Sequence, residues 1–424
     1  MKRFFLWGAT SLVLLVFSLL ILELGSFVLV RNHLLTVNET PRLYQGLFDG
    51  GFLNYSDFRT EEEEWGAWHT KNAKAKQDTP CFAIEYASNE VGARGPSFLG
   101  NSAQSVVLLG DSFAEGYGVK ESETAANQLS QLLHVPVLNF GTAGNFGPVQ
   151  EWLIYERLAK HYPHERLVLF VLPENDFTDN DYAYWQANGL NKLWGGAGER
   201  YRPYYQKTAT GYSYFIPKDA VKYPFVSEKA SWSQFLKDHF WFSNSLRTAR
   251  IALLALRENT LRNQSMSASP VQNPAPNSVT NTKATDTKVP DKKAPDQQTP
   301  QQVVSHKAYS GYFDASSEQQ LAALHFIDQI ITKSPAKEIV IVAIPVRADL
   351  ERIANGANRQ QQAWWQALRT ASTRLHKPVQ FLDLVDTLPK DFDNVFLGCD
   401  GHWSAKGNRL AAEAIAKTLS IPKP

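Results

Sequence analysis

From Ser105 onward, short continuous apolar runs alternate with stretches in which apolar residues return every three or four positions. The first pattern marks buried strands and the second marks helices packed on a sheet. "SVVLLG", "VPVLNFG" and "RLVLFVLPEND" read as strands, and "TAANQLSQLL" and "GPVQEWLIYERLAKHY" as the helices between them. After a long interruption the rhythm resumes with helix "SSEQQLAALHFIDQIIT", strand "EIVIVAIPV", helix "QQQAWWQALRTASTRLH", strand "VQFLDL" and helix "SAKGNRLAAEAIAKTLS". Strands alternating with helices imply a parallel sheet with helices on both faces, a three-layer α/β/α sandwich.

The interruptions have their own patterns. Lys2 and Arg3 precede an apolar run from Phe4 to Leu22, followed by Glu23 and further apolar residues up to Arg31. A membrane-crossing helix needs ~20 residues, and a cleaved signal peptide has a shorter apolar core, so residues 1–32 are expected to be an uncleaved anchor. The basic start argues for a cytoplasmic N-terminus, a single pass through the inner membrane and an extracytoplasmic domain. Glu23 is expected at the lipid headgroups or against a partner helix.

Residues 33–83 form a mixed lead-in, and the acidic run from Glu61 to Glu64 reads as a solvated face. The first part of the domain is assigned to residues 84–258. It includes an aromatic insertion, 182–258, in which "YRPYYQKTATGYSYFIP" alternates like a hairpin and "WSQFLKDHFWFSNSLRTARIALLALRE" has helical spacing. Residues 259–307 lack aromatics and are rich in Pro, Ser, Thr, Asn, Gln and Lys, so they are expected to be disordered. The second part of the domain then covers 308–424. Because the strand–helix rhythm continues across the tract, the tract reads as an excursion from one domain. No internal repeat is visible.

Composition narrows the function. The 424 residues carry a formal net charge of +1, and no basic stripe interleaved with aromatics occurs, which gives no reason to expect nucleic acid. The two cysteines, Cys81 and Cys399, are expected to pair in an oxidising compartment. "GDSFAEGYGV" offers no lysine after its glycines and so is not a phosphate loop, and its glycine spacing does not fit a dinucleotide fingerprint. Asp111, Asp176, Asp400 and His402 would be the residues to converge on a cation, but no metal-ligand spacing such as H-E-x-x-H occurs, and no cofactor is expected.

In parallel sheets, functional groups collect at the carboxyl edge. Four loops are thereby gathered: Gly110-Asp111-Ser112, Asn139 to Gly144, Glu174-Asn175-Asp176, and Cys399-Asp400-Gly401-His402. They supply a hydroxyl, backbone donors, an amide, and an imidazole beside a carboxylate. A serine hydroxyl needs a base to take its proton, and the anion formed on a carbonyl oxygen needs fixed donors, so the set suits acyl transfer.

Taken in order, these blocks resemble the SGNH hydrolases, the GDSL esterase and lipase superfamily. The resemblance covers about residues 84–180 and 338–420, and it includes "YASNEVGARGPSF" before the serine strand, a stretch similar to one in membrane-anchored bacterial members. It implies an SGNH or flavodoxin-like sheet, with Ser112 as nucleophile and His402 as base. It also implies Gly144, in N-x4-G from Asn139, and Asn175, in "PEND", as oxyanion donors. Pro173 stands where the family usually has glycine. The common D-x-x-H acid would fall on Cys399, so the available acid is Asp400. The resulting "DGHW" resembles the D-x-H-W motif of proteins that O-acetylate bacterial polysaccharides. The function implied is a serine esterase acting on an O-acyl, expectedly O-acetyl, ester of a carbohydrate or on a small ester. The alternatives are an O-acetyltransferase with the same triad, working with a membrane acyl-transfer partner, and a non-catalytic binding protein.

Overall fold

The computed structural model describes residues 2–32, 34, 52–79, 81–191, 198–222, 239–243, 245–246, 309–389, 391–398 and 400–419. Five strands make the central sheet: β1 Val106–Leu109, β2 Val137–Asn139, β3 Arg166–Val171, β4 Glu338–Ala343 and β5 Val379–Asp383. Their order is β2-β1-β3-β4-β5, with every pair parallel. The pairing of Val106 with both Val137 and Arg166, and of Arg166 with Glu338, aligns the carboxyl ends of the inner strands at one edge.

Continuous apolar runs become strands here because both faces of the sheet are covered. Val107, Leu109, Leu167, Leu169, Ile339 and Ile341 face one core layer, and Val106, Leu108, Val168, Phe170, Val340 and Val342 face the other. The first layer is closed by α3 (Pro148–Arg157) and α4 (Ser317–Lys333) through Leu153, Ile154, Ile327 and Ile330. The second is closed by α2 (Ala125–Leu133) and α5 (Ala405–Thr418) through Leu129, Ala411 and Ile415. Polar residues begin α2, α4 and α5 where the sequence pattern expects: Thr124, Ser316 and Ser404 each accept a backbone N–H of the first turn. Residues on both sides of the 259–307 tract build one sheet, because β4 pairs directly with β3. The tract itself, read from sequence as disordered, lies outside the described residues, as does most of the 232–258 helical pattern.

The first helix, α1 (Lys2–Arg31), holds the stretch Thr10–Arg31, which is long and apolar enough to cross a membrane. It fits a membrane anchor or a signal sequence. Glu23 corrects the expectation of headgroups or a partner helix: it is buried, and its carboxylate accepts the backbone N–H groups of Trp241 at 2.9 Å and Phe242 at 3.0 Å.

The lead-in is more ordered than its composition suggests. Strands Leu53–Asn54, Lys74–Asp78 and Ala83–Ala87 form a small sheet, and Arg59–Glu63 pairs with Gly66–His69. The acidic run is therefore a strand end rather than a solvated face. Glu61 pairs with Arg200 at 3.1 Å, and Glu64 takes Arg157 at 2.6 Å together with the Tyr214 hydroxyl. The predicted hairpin is present as Tyr204–Thr208 against Gly211–Phe215. The single helix expected over 360–376 is broken into Arg359–Gln361, Ala363–Arg369 and Ala371–Leu375, and a polar helix, Arg347–Ala354, precedes it.

One close approach ties the second part of the chain to the loop after β3. A Cβ on Gly311 would lie 2.0 Å from the Pro173 carbonyl carbon and 2.1 Å from the Glu174 nitrogen, both backbone atoms that cannot swing aside. Gly311→Ala is therefore expected to lower stability by about 1–3 kcal/mol, the range for overpacking. Chemical denaturation monitored by tryptophan fluorescence checks this, and an unchanged midpoint would contradict the packing.

Candidate active site

β1 runs directly into a short helix, Ser112–Glu115. Asp111 caps it by accepting the Phe113 N–H at 3.0 Å, which leaves Ser112 on the first turn above the sheet edge. The loop after β2 folds against this helix, with the Asn139 side chain accepting the Gly141 N–H at 2.9 Å. After β3, Pro173–Asp176 forms another single turn. The last loop is fixed by Trp403, which is fully buried and packs edge-on against Phe113 at 4.9 Å and Phe170 at 5.8 Å.

These packings bring together side chains far apart in sequence. His402 Nε2 lies 2.8 Å from the Ser112 hydroxyl oxygen, and its Nδ1 is hydrogen-bonded to the Asp400 carboxylate. The imidazole is held between Phe113, at 5.1 Å, and Tyr117, at 4.7 Å. Tyr117 is held in turn by Gln77, whose amide donates to its hydroxyl at 2.7 Å. Burial alone would raise the Asp400 carboxyl, but the hydrogen bond and charge of His402 outweigh it and hold the group below its usual range. Asp400 therefore stays an acceptor that fixes the orientation of the ring.

The expected donor at Gly144 is a backbone group, and Ser112 offers a second backbone N–H. No described residue accepts the N–H of Ser112 or that of Gly144, so neither is committed among the described residues. Asn175 divides its amide: one N–H donates to the Asp111 carboxylate at 3.1 Å, which leaves the second. Burial pushes Asp111 up to about 6, against the lowering effects of the Phe113 N–H, the Asn175 amide and His402. Among the described residues, no group of three or more His, Cys, Asp or Glu is arranged to hold a metal ion. Cys81 is disulfide-bonded; Cys399, the other cysteine in the chain, lies outside the described residues.

The lead-in and the residues just after it contribute groups that sequence reasoning did not assign to the site. Arg94 is buried and donates to the carbonyls of Glu115, at 3.3 Å, and Val119, at 2.6 Å, which clamps the turn after the Ser112 helix. Glu115, also fully buried, accepts the Ala143 N–H and the Tyr55 hydroxyl at 3.0 Å and faces His69 Nε2 at 3.5 Å. His69 Nδ1 meets the Gly92 carbonyl at 2.9 Å, so that nitrogen carries a proton. The usable signal was "YASNEVGARGPSF", which contains Arg94 and Gly92. Tyr55, Arg59 and His69 carried none.

No protein-family model matches the chain, and no curated protein does. Several solved structures are similar to it. One is a protein ascribed to the G-D-S-L lipolytic family from Desulfitobacterium hafniense, with 10% identity and a TM-score of 0.29 over 74% of this chain and 99% of that one. Another is a carbohydrate esterase family 2 enzyme with a carbohydrate-binding domain from Corynascus thermopiles, with 11% identity and a TM-score of 0.34 over 81% of each chain.

Glu115 makes the site region sensitive to acid. Burial would raise its carboxyl, but the charge and hydrogen bond of His69, the Arg94 guanidinium and the Ala143 N–H bring it from its ordinary 4.5 down to about 2. A carboxyl depressed in the fold contributes stability that is fully present above its unfolded value and is lost as pH falls through the folded one. Glu115→Gln is thus expected to be less stable than wild type at neutral pH, by about 3 kcal/mol, with the gap closing as pH falls from about 4.5 toward 2. Urea unfolding across that range checks it; parallel stability curves would contradict the assignment.

Proposed function

We propose that the protein is a serine esterase of the SGNH type. It removes an O-acyl group, expectedly acetyl, from a carbohydrate of the cell envelope, and α1 anchors it to the membrane with the α/β domain outside. The observation that carries this reading is the 2.8 Å contact between the Ser112 hydroxyl and His402 Nε2, with Asp400 on the opposite ring nitrogen.

The chemistry follows from that arrangement. His402 takes the Ser112 proton as the serine oxygen bonds to the ester carbon, and the carbonyl electron pair moves onto oxygen. The backbone N–H groups of Ser112 and Gly144, with the free N–H of Asn175, are the proposed donors to that oxyanion. Collapse breaks the bond to the sugar oxygen, which leaves with the proton from His402. Water then gives a proton to His402 and attacks the acyl-serine, releasing the carboxylic acid and the serine. Asp400 holds the ring so that Nε2 faces Ser112 and stabilises its charged form. A sugar hydroxyl in place of water would turn the same steps into O-acyl transfer, and "DGHW" at residues 400–403 is the observation favouring that second reading.

Ser112→Ala and His402→Ala are each expected to lower hydrolysis of an aryl acetate by about 10³-fold or more, with the double variant no worse than either. Detergent-purified full-length protein, assayed with an acetylated oligosaccharide in parallel, provides the measurement. Full activity in Ser112→Ala would overturn the proposal. Acetyl transfer to added oligosaccharide in preference to water would select the transferase.

A further inference from the structure

The proposed oxyanion donor at Gly144 belongs to a peptide group whose other end is held by a charged side chain. Arg59 Nη2 donates to the Ala143 carbonyl at 2.9 Å. In a planar trans peptide, the carbonyl of one residue and the N–H of the next point in opposite directions. Fixing the Ala143 carbonyl from one side therefore fixes the Gly144 N–H toward the other. The preceding peptide is pinned as well, because Glu115 accepts the Ala143 N–H. Successive peptides are thus held by an acid and then by a base.

Three further observations show what Arg59 is committed to. It pairs with no carboxylate among the described residues, so its charge is not neutralised by a neighbour. Its buried Nε has no hydrogen-bond partner, which leaves the Ala143 carbonyl as its recorded acceptor. A Cβ on Gly144 would lie 1.7 Å from Nη2 and 2.6 Å from Cζ, and φ there is +114°. Glycine is required at 144 both by its backbone and because the guanidinium occupies the space of a side chain.

We propose that Arg59 is a positioning residue for the oxyanion hole, orienting the Ala143–Gly144 peptide and polarising it so that the Gly144 N–H is a stronger donor. A cation on a carbonyl oxygen draws electron density toward that oxygen and leaves the N–H more positive, an effect that grows where water is excluded. Arg59 acts through the Ala143 carbonyl, on the opposite side of the peptide from the Gly144 N–H. This inference rests on the serine-esterase reading.

The test uses full-length protein and compares wild type, Arg59→Met, Arg59→Lys and Gly144→Ala. Each is assayed for kcat and KM on an aryl acetate, for the rate of serine labelling by a neutral fluorophosphonate, and for melting temperature. Arg59→Met is expected to lower kcat and the labelling rate together by about 10–100-fold, below the loss of a whole oxyanion donor, with KM within about twofold because ground-state binding is unchanged. Arg59→Lys, which keeps the charge, recovers part of the loss. Gly144→Ala, which expels the guanidinium, matches Arg59→Met, and the double variant is no worse than either single one. Should Arg59→Met not accumulate, Arg59→Gln replaces it.

Ser112-dependent hydrolysis that Arg59→Met leaves unchanged, or a loss confined to KM and melting temperature, overturns the role of Arg59 alone. Absence of any Ser112-dependent hydrolysis in wild type overturns this inference together with the esterase reading.

Discussion

The meeting of Ser112 and His402 depends on parallel strand direction. With every strand of the central sheet running the same way, the loops after β1, β2 and β3 emerge at one edge. The loop before α5 is drawn to the same edge by burying Trp403 between Phe113 and Phe170. Reversing one inner strand would put its loop at the opposite edge, a strand length away, and no side chain could bridge that gap. The 2.8 Å contact is therefore a consequence of topology first and of local geometry second.

A second tier of interactions keeps the loops from relaxing. Loop backbone carries polar groups that must be satisfied when buried. Here charged side chains reach them: buried Arg94 on the turn after Ser112, buried Glu115 and half-buried Arg59 on the two sides of Ala143, and buried Asp111 on Phe113. Buried charges are costly unless paired, so Glu115 is accompanied by His69 and by the Tyr55 hydroxyl. Tyr55, Arg59 and His69 come from the lead-in and Arg94 from the first part of the domain, so both segments brace the loops of the site.

The central sheet was legible because its signals are local. Continuous apolar runs became β1 to β4, and three-to-four spacing after Thr124, Ser316 and Ser404 became α2, α4 and α5. The four loops were legible because they stand at strand ends. The lead-in was not legible, since strands such as Lys74–Asp78 are mostly polar and its order comes from contacts without period, for instance Tyr55 on Tyr86 at 4.6 Å. The acidic run was misread for a similar reason: the arginines that pair with Glu61 and Glu64, Arg200 and Arg157, are distant in the chain. Asn175 was assigned to the anion, whereas half of its amide capacity goes to Asp111. A block motif identifies the residue present but not how its hydrogen bonds are shared.

The central claim is that an acyl group passes through the oxygen of Ser112. Brief incubation of the full-length protein with an acetyl ester, an acid quench and mass spectrometry of its peptides test it most directly. An acetyl adduct on the peptide carrying Ser112, formed by wild type and absent from His402→Ala, is the predicted result. Steady ester cleavage with Ser112 unmodified, or an adduct on another residue, would contradict the account.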